Sequence, residues 1–474
     1  MPEENLQKNL CNGEQMSEVK FKNEKIDFKK LSKFSRHAPR YTSYPTAVEF
    51  KELSEGDILP FLKSDKPLSL YFHLPFCRSA CYFCGCNVVY TSKADKRRRY
   101  IDYLKKELDT LSQHLDTSRL VRQLHFGGGT PTFFTPEELD EIYTLIESHF
   151  KNYEEDAEIS VEIDPRFFSK EHMDVMKAHR VNRISFGVQD FNEETQKAVN
   201  RIQPFDLTKN AVDIARSAGI NSINIDLIYG LPYQNLETFK KTLDLVKKLD
   251  PDRLAVFNYA HVPWLKKGMR KIDETTLPTP EEKLKIFKYV IDFFESNGYV
   301  MVGMDHFAKP EDELFKAIAK GELHRNFQGY TTKGGADLIG VGLTSIGETD
   351  EAYMQNYKDL KSYEKAVDEG KIPVFRGVIL SEEDKIRKYV IMEMMANFSF
   401  DIKRFEKKFN LNFFEKFKDE IKELQEFVDE GLVEITPEKI SINKTGSLLI
   451  RNIVLPFDEY FKKMKNQKVF SKSI

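Results

Sequence analysis

The sequence predicts an α/β fold: a barrel or partial barrel of parallel strands wrapped by helices. Between about residues 68 and 305, short apolar strands alternate with amphipathic helical stretches. That order calls for right-handed crossovers between parallel strands. The strands are two-faced, apolar on one side and polar on the other. Capping signatures mark where helices begin.

The strands fall at 70–73, 123–127, 159–163, 184–189, 223–229, 254–259 and 300–304. In 159–163, Ile159, Val161 and Ile163 share one face, with Ser160 and Glu162 on the other. In 184–189, Ile184, Phe186 and Val188 oppose Ser185, Gly187 and Gln189. Ile223, Ile225 and Leu227 oppose Asn224 and Asp226; Leu70 and Phe72 oppose Tyr71 and His73; Leu124 and Phe126 oppose His125. The apolar set should pack under the helices. The polar set should line the inside, where barrels usually carry branched apolar side chains. A polar interior implies a lumen that holds a polar ligand. These residues also fall late in their strands, at the face where such barrels keep active sites.

Helical segments fill the gaps. One runs over 101–115 and is opened by the basic run at 93–99, a solvated face that can also steer an anionic substrate. Another starts at Thr135-Pro136-Glu137-Glu138, where Thr135 caps, Pro136 takes the first helical position and Glu138 closes a capping box. Thr279-Pro280-Glu281-Glu282 repeats that signature. From about 376 the pattern changes. Ser381 caps a helix, a second starts near Asn412, a hairpin covers 431–443, and a last helix follows from about Gly446. Helices with a hairpin resemble a winged-helix unit. Residues 381–474 carry 18 Lys and Arg against 17 Asp and Glu, however, so the unit lacks a basic nucleic-acid footprint and reads as a lid or packing domain. The expected division is an N-terminal arm over 1–50, a catalytic barrel over 51–375 and a C-terminal helical domain over 376–474. Residues 1–35 read as a mobile or peripheral arm, and Cys11 there as an incidental thiol.

The chain has 474 residues, a net charge of −3 and 41 % hydrophobic residues, the profile of a soluble globular protein of two or three domains. It has no apolar run long enough to span a membrane and no apolar signal core, so the cytoplasm is the expected compartment. Near-neutral charge argues against nucleic acid as the main partner.

Four of the five cysteines lie within ten residues: Cys77, Cys81, Cys84 and Cys86. That is no disulfide framework, and Cys-x3-Cys-x2-Cys lacks the separated ligand pairs of a zinc finger or ribbon. Three thiolates can hold three irons of a [4Fe–4S] cube and leave the fourth iron open to a small molecule. Cys86 can serve as a fourth ligand, but Cys84-x-Cys86 is a tight spacing for two irons of one cube. One strand later, Gly127, Gly128, Gly129 and Thr130 stand at a strand end, where glycines let backbone approach a ligand closely. Neither a Walker A lysine nor the dinucleotide spacing is present.

These motifs, in this order, resemble the radical S-adenosylmethionine (SAM) enzymes. In that family the open iron holds SAM, and the reduced cube cleaves it to methionine and a 5′-deoxyadenosyl radical. The resemblance implies a partial (β/α)6 barrel. It narrows through PRYTSYPTA (39–47), EIDPR (162–166), GVQDF (187–191), NIDLIYGLP (224–232), FNYAH (257–261), GMDHFA (303–308) and HRNFQGYTT (324–332). Together with the cysteine and glycine motifs these resemble the oxygen-independent coproporphyrinogen III oxidases of haem biosynthesis. Such enzymes convert two propionates of coproporphyrinogen III to vinyls.

The resemblance implies roles for residues that match. Cys77, Cys81 and Cys84 would ligate the cluster. Phe83, Gly128, Gly129, Thr130, Gln189, Arg201, Asp226 and Ala260 would lie around SAM. Tyr71, Glu162 and Ile346 would border a second SAM or the substrate space, with Phe327 and Gln328 near it. Tyr71, His73, Cys86, Glu162 and Gln328 are the catalytic candidates, with His306 a further acid/base candidate. Arg40, Arg166 and Arg325 are candidates for the substrate propionates. The implied partners are coproporphyrinogen III and an external electron donor and acceptor, for a chain acting as a monomer. Two other readings share the cluster: a haem-trafficking relative and a radical SAM methyltransferase that opens haem. The Cys86 position, PRYTSYP and the later motifs favour the oxidase.

Overall fold

The computed structural model describes residues 24–464 and 470–472; Cys11 lies outside them. Six parallel strands form its centre: β1 (Leu68–Leu74), β2 (Val121–Gly128), β3 (Tyr153–Ile163), β4 (Arg183–Gln189), β5 (Ser222–Tyr229) and β6 (Arg253–Asn258). Each pairs in parallel with the next, in chain order. The crossovers carry helices Ala94–Leu111, Pro136–His149, Lys170–Ala178, Phe205–Ser217 and Leu236–Leu249. Thr135 and Glu138 form the expected capping box, and the Thr279 side chain accepts from Glu282 N–H. The first long helix begins at Ala94, inside the basic run.

Burial follows the strand faces. Ile184, Phe186 and Val188 are buried in β4, while Ser185, Gly187 and Gln189 are partly exposed. In β5, Ile223, Ile225 and Leu227 are buried and Asn224 and Asp226 are partly exposed. The apolar faces meet the helices in two large apolar clusters, and the polar faces turn to the lumen.

The sheet stays open. The expected seventh parallel strand at 300–304 is instead a reversal: β7 (Val300–Met301) pairs antiparallel with β8 (His306–Ala308), and β8 pairs antiparallel with β6. Gly303 lies within it, with the Tyr330 ring 2.5 Å from where a Cβ would stand. Beyond β1 the sheet gains strands that the alternation did not reveal. Asp337–Val341 is parallel to β1, and Ile346–Glu348, Ala352–Asn356, Val374–Ile379 and Lys51–Glu52 follow antiparallel, giving 13 strands.

A hairpin, His324–Asn326 paired with Gly329–Thr331, crosses between the two edges. On one side Tyr330 packs edge-on against His306, with ring centres 5.1 Å apart. On the other, Phe327 at the tip packs against Phe50 and Tyr353. The hairpin therefore straps the opening of the incomplete barrel.

The C-terminal region has helices Glu382–Asn397, Ile402–Phe409, Phe413–Lys416 and Lys418–Asp429, and a small sheet of Ser399–Asp401, Lys439–Ile442 and Val433–Ile435. Ser381 and Asn412 cap as expected, and the last predicted helix starts at Lys444. Helix Phe28–Phe34 is not peripheral. Leu31 and Phe34 are buried, and Phe34 packs on Phe427 at 5.1 Å. Arg451, itself buried, ties the termini together: its guanidinium donates to the carbonyls of Ala38, Pro39 (2.9 Å), Ser471 (3.0 Å) and Lys472 (3.1 Å).

Two outcomes follow. Arg451→Ala strands those buried carbonyls and should cost about 3 kcal/mol. It should lower the melting temperature and open residues near Arg40 to limited proteolysis. Glu107, fully inside the protein, accepts from Tyr363 (2.6 Å), Asn356 (2.8 Å) and the Gly342 N–H (2.9 Å). Burial pushes its carboxyl up to about 7 from an ordinary 4.5. A raised pKa contributes stability below the unfolded value that is lost as pH rises through the folded one. Urea midpoints should therefore show wild type losing ground to Glu107→Gln between pH 5 and pH 8, by about 2–3 kcal/mol.

Candidate active site

β1 runs directly into the cysteine loop. Cys77, Cys81, Cys84 and Cys86 all line one cavity of about 250 Å3 at the C-terminal ends of β2 to β5. The loop is held by backbone: Tyr82 N–H donates to Val199 O (2.9 Å), Val89 N–H to Pro75 O (2.8 Å) and Thr91 N–H to Cys77 O (3.0 Å). Tyr82 and Phe83 pack on a small apolar cluster of Val199, Leu231, Tyr259, Met269 and Ile272.

The thiols differ in their surroundings. Cys77 Sγ lies 3.5 Å from the Thr130 hydroxyl. Cys81 Sγ receives Arg166 at 3.5 Å and Arg201 at 3.6 Å. Those guanidiniums share Asp164, at 2.7 Å and 2.9 Å. Burial opposes charge on Asp164, but Arg201 and Arg166 still hold its carboxyl below the usual range. The thiolate is the form of a cysteine that binds metal, and two guanidiniums stand within reach of the Cys81 sulfur. A hydrogen bond from the Cys86 thiol favours charge on Cys84 and disfavours it on Cys86. Among the described residues no three His, Cys, Asp or Glu side chains converge on a single ion. A cluster does not ask for such convergence, since its ligands bind separate irons.

The glycines are needed where the end of β2 lies on the base of this loop. Gly129 N–H donates to Leu74 O (2.8 Å) and Thr130 N–H to Phe76 O (2.9 Å). A Cβ on Gly129 would stand 2.6 Å from Phe76 O. Gly128 has φ +108°, and a Cβ there would enter the His73 ring. His73 is buried and neutral; burial pushes its pKa down to about 4. Its Nε2 faces the Asn87 carbonyl at 3.0 Å and so donates, leaving Nδ1 to accept from Tyr71 O–H at 2.9 Å. Both ring nitrogens are committed, which makes His73 a support for the glycine turn.

Two carboxylates face the cavity. Glu162 is reached by His125 Nε2 (3.4 Å) and Gly128 N–H (3.3 Å). Asp226 accepts from Asn224 (2.7 Å) and Ser185 (3.1 Å). Burial, then the charge of Glu162, pushes the Asp226 carboxyl up to about 6. Such a pair accommodates a cationic ligand with hydroxyl donors. Beside them the backbone bulges between Gly187 and Gln189, and Gln189 takes φ +70°. A side chain other than glycine held in that region is strained, a common mark of a working site.

The cavity thus gathers Phe83, Gly128, Gly129 and Thr130 with Glu162, Gln189, Arg201 and Asp226. Tyr71 stands behind it, stacked on His125 at 5.8 Å. Ala260 lines a separate cavity of about 500 Å3, beside Asn258. Ile346 packs with Phe327 against Phe50 and Tyr353, and Gln328 lies at the tip of the strap. Arg166, a candidate for a substrate propionate, is instead committed to Asp164 and Cys81. Asp164 was missed because strand alternation places it on neither face; its signal is its position two residues before Arg166, beyond the end of β3.

Comparison with known proteins fits this geometry. Residues 71–246 match the Radical SAM superfamily, and residues 380–449 match the HemN C-terminal domain. The chain is 55 % identical over 456 residues to an oxygen-independent coproporphyrinogen III oxidase of Helicobacter pylori strain J99, covering 95 % of this chain and 99 % of that one. It is 43 % identical to the Escherichia coli protein of that name, covering 94 % and 98 %. The chain belongs to the oxygen-independent coproporphyrinogen III oxidase family. Its structure matches the solved E. coli member, a radical SAM enzyme, with a TM-score of 0.88 at 42 % identity over 93 % of this chain and all of that one. With membership come a [4Fe–4S] cluster and SAM as cofactors. Three thiols around an open cavity suit the first, and the glycine cradle with its carboxylate wall suits the second.

Serine at Cys77, Cys81 or Cys84 should abolish cluster assembly, read as iron and sulfide content after anaerobic reconstitution. Cys86→Ser should keep the cluster; its loss would mean that four cysteines ligate.

Proposed function

We infer that this chain carries out the oxygen-independent oxidative decarboxylation of coproporphyrinogen III to protoporphyrinogen IX, in haem biosynthesis. The observation that carries the reading is a radical SAM cysteine loop, seated on its glycine cradle, in a chain similar over nearly its whole length to enzymes bearing that activity's name.

Cys77, Cys81 and Cys84 would hold the cluster, with Arg166 and Arg201 beside the Cys81 sulfur. When bound, cluster and SAM together supply a hydrogen-abstracting carbon radical. Gly128, Gly129 and Thr130 present backbone to SAM. Glu162, Gln189 and Asp226 hold its polar groups, with Asp226 suited to hydroxyl donors, while Phe83 supplies apolar cover. Arg201 acts mainly through Asp164 and Cys81. Tyr71, supported by His73 and stacked on His125, shapes the substrate side with Glu162, Ile346 and Gln328. Cys86 lines the same cavity and would stay outside the ligand set.

In the net reaction each reacting propionate loses a hydrogen atom from its β-carbon. Its carboxylate leaves as carbon dioxide, and one electron passes to an external acceptor, leaving a vinyl. An external donor would supply the reducing electron. The protein works as a monomer in the cytoplasm; no helix among the described residues is long and apolar enough to cross a membrane. A haem-trafficking role is the alternative that the test must exclude. Reconstituted protein given SAM, reductant, coproporphyrinogen III and cell extract anaerobically should form protoporphyrinogen IX with methionine and 5′-deoxyadenosine. Stable haem binding without turnover would overturn the reading.

A further inference from the structure

Near the end of β6, away from the cysteines, residues from four separate motifs meet: Arg40, Phe257, Asp305 with His306, and Arg325 with Tyr330. Arg40 pairs with Asp305 and lies over the Phe257 ring at 5.6 Å. His306 Nδ1 is 2.7 Å from Asp305 Oδ1, and its ring meets both Phe257 and Tyr330 edge-on. Arg325 lies over the Tyr330 ring at 4.6 Å. Arg451 stands close enough to feel the charges of Arg40, Arg325 and Asp305.

The charges of this group do not balance. Three guanidiniums surround the single carboxylate of Asp305. Arg451 is satisfied by four backbone carbonyls and Arg40 by Asp305. Arg325 is nine-tenths buried, and its Nε and Nη1 lack any hydrogen-bond partner among the described residues. Both polar atoms of the Gln328 amide, on the same strap, are also sealed without a partner, as is Asn258 Oδ1 at the end of β6. Buried polar groups of this kind are costly unless they are paired, and charged donors most of all. Nε and Nη1 lie on different edges of the guanidinium, and each offers a charged N–H that a carboxylate oxygen can accept.

We propose that Arg325, with Arg40 alongside, is the site that receives a propionate carboxylate of the substrate, and that seating this carboxylate holds the strap closed over the lumen. The proposal rests on the reading of the substrate given above. SAM is the other source of a carboxylate, but Arg325 does not line the cavity that holds the cysteines. The carboxylate fills the donors that Asp305 leaves empty and neutralises the excess charge. Tyr330 supports the guanidinium from below. Arg325 binds and orients; it takes no part in bond making.

The test uses the reconstituted enzyme, wild type and Arg325→Gln, with coproporphyrin III and its tetra-carboxamide as fluorescent probes. Wild type should prefer the acid by about 10- to 100-fold, the scale of a charge-assisted pair. That preference should shrink about tenfold or more in Arg325→Gln, while SAM affinity stays within about twofold. KM for coproporphyrinogen III should rise, and Arg325→Lys should recover part of the preference. The probe comparison is made within each variant, so a general loss of folding cannot mimic it. An unchanged acid preference in Arg325→Gln overturns the proposal, as does a fall in SAM affinity in place of porphyrin affinity. Wild type that neither binds coproporphyrin nor turns over its porphyrinogen overturns the functional reading itself.

Discussion

The site hangs on one backbone seam. The end of β2 is laid against the start of the cysteine loop, with Gly129 N–H on Leu74 O and Thr130 N–H on Phe76 O. The approach is so close that no Cβ fits at Gly129, and Gly128 needs a positive φ beside the His73 ring. This contact sets where three thiols stand relative to the lumen. It also turns β2's last backbone groups toward the same cavity. A loop free to move would bring thiols together without presenting their open side to any substrate. The seam converts a sequence motif into an oriented one.

Charge is distributed around that seam in two separate zones. Near the cysteines, Arg166, Arg201 and Asp164 form a buried network that reaches the Cys81 sulfur. Farther along the wall, Arg40, Arg325 and Arg451 outnumber Asp305. Between them stand Glu162 and Asp226, which suit a cation. The positive zone at the cysteines suits cluster thiolates, the two carboxylates suit a sulfonium-bearing amino acid, and the arginine-rich zone suits a polycarboxylate. Each zone lies in low-dielectric surroundings, where unmatched charge is expensive and complementary ligands are correspondingly well discriminated.

Much of this was legible in the chain. The alternation of Ser160 with Ile159 and Val161, and of Asp226 with Ile225 and Leu227, already distinguishes lumen from core, because side chains change face at every residue of a strand. Thr135, Thr279 and Ser381 mark helix starts because hydroxyl caps act locally. The reading failed where structure depends on partners distant in sequence. Residues 300–304 look like another buried strand, yet reverse at Gly303 where Tyr330 packs. Leu31 and Phe34 look like part of a loose arm, yet join the core of the C-terminal region, where Phe34 meets Phe427. Arg166 looks like a substrate cation until Asp164 and Cys81 are seen to occupy it.

By itself, then, the sequence determined the parallel α/β core, the polar lumen, the cysteine and glycine motifs and the family they belong to. All of these are written in short windows, where periodicity, capping and ligand spacing act over a few residues. Only the tertiary structure decided which arginines are free and which are spent, that the sheet stays open, and that the hairpin from His324 to Thr331 straps the gap. Those outcomes depend on burial and on pairings between distant segments. Whether a guanidinium is satisfied is a property of what folds against it, and no local pattern records that.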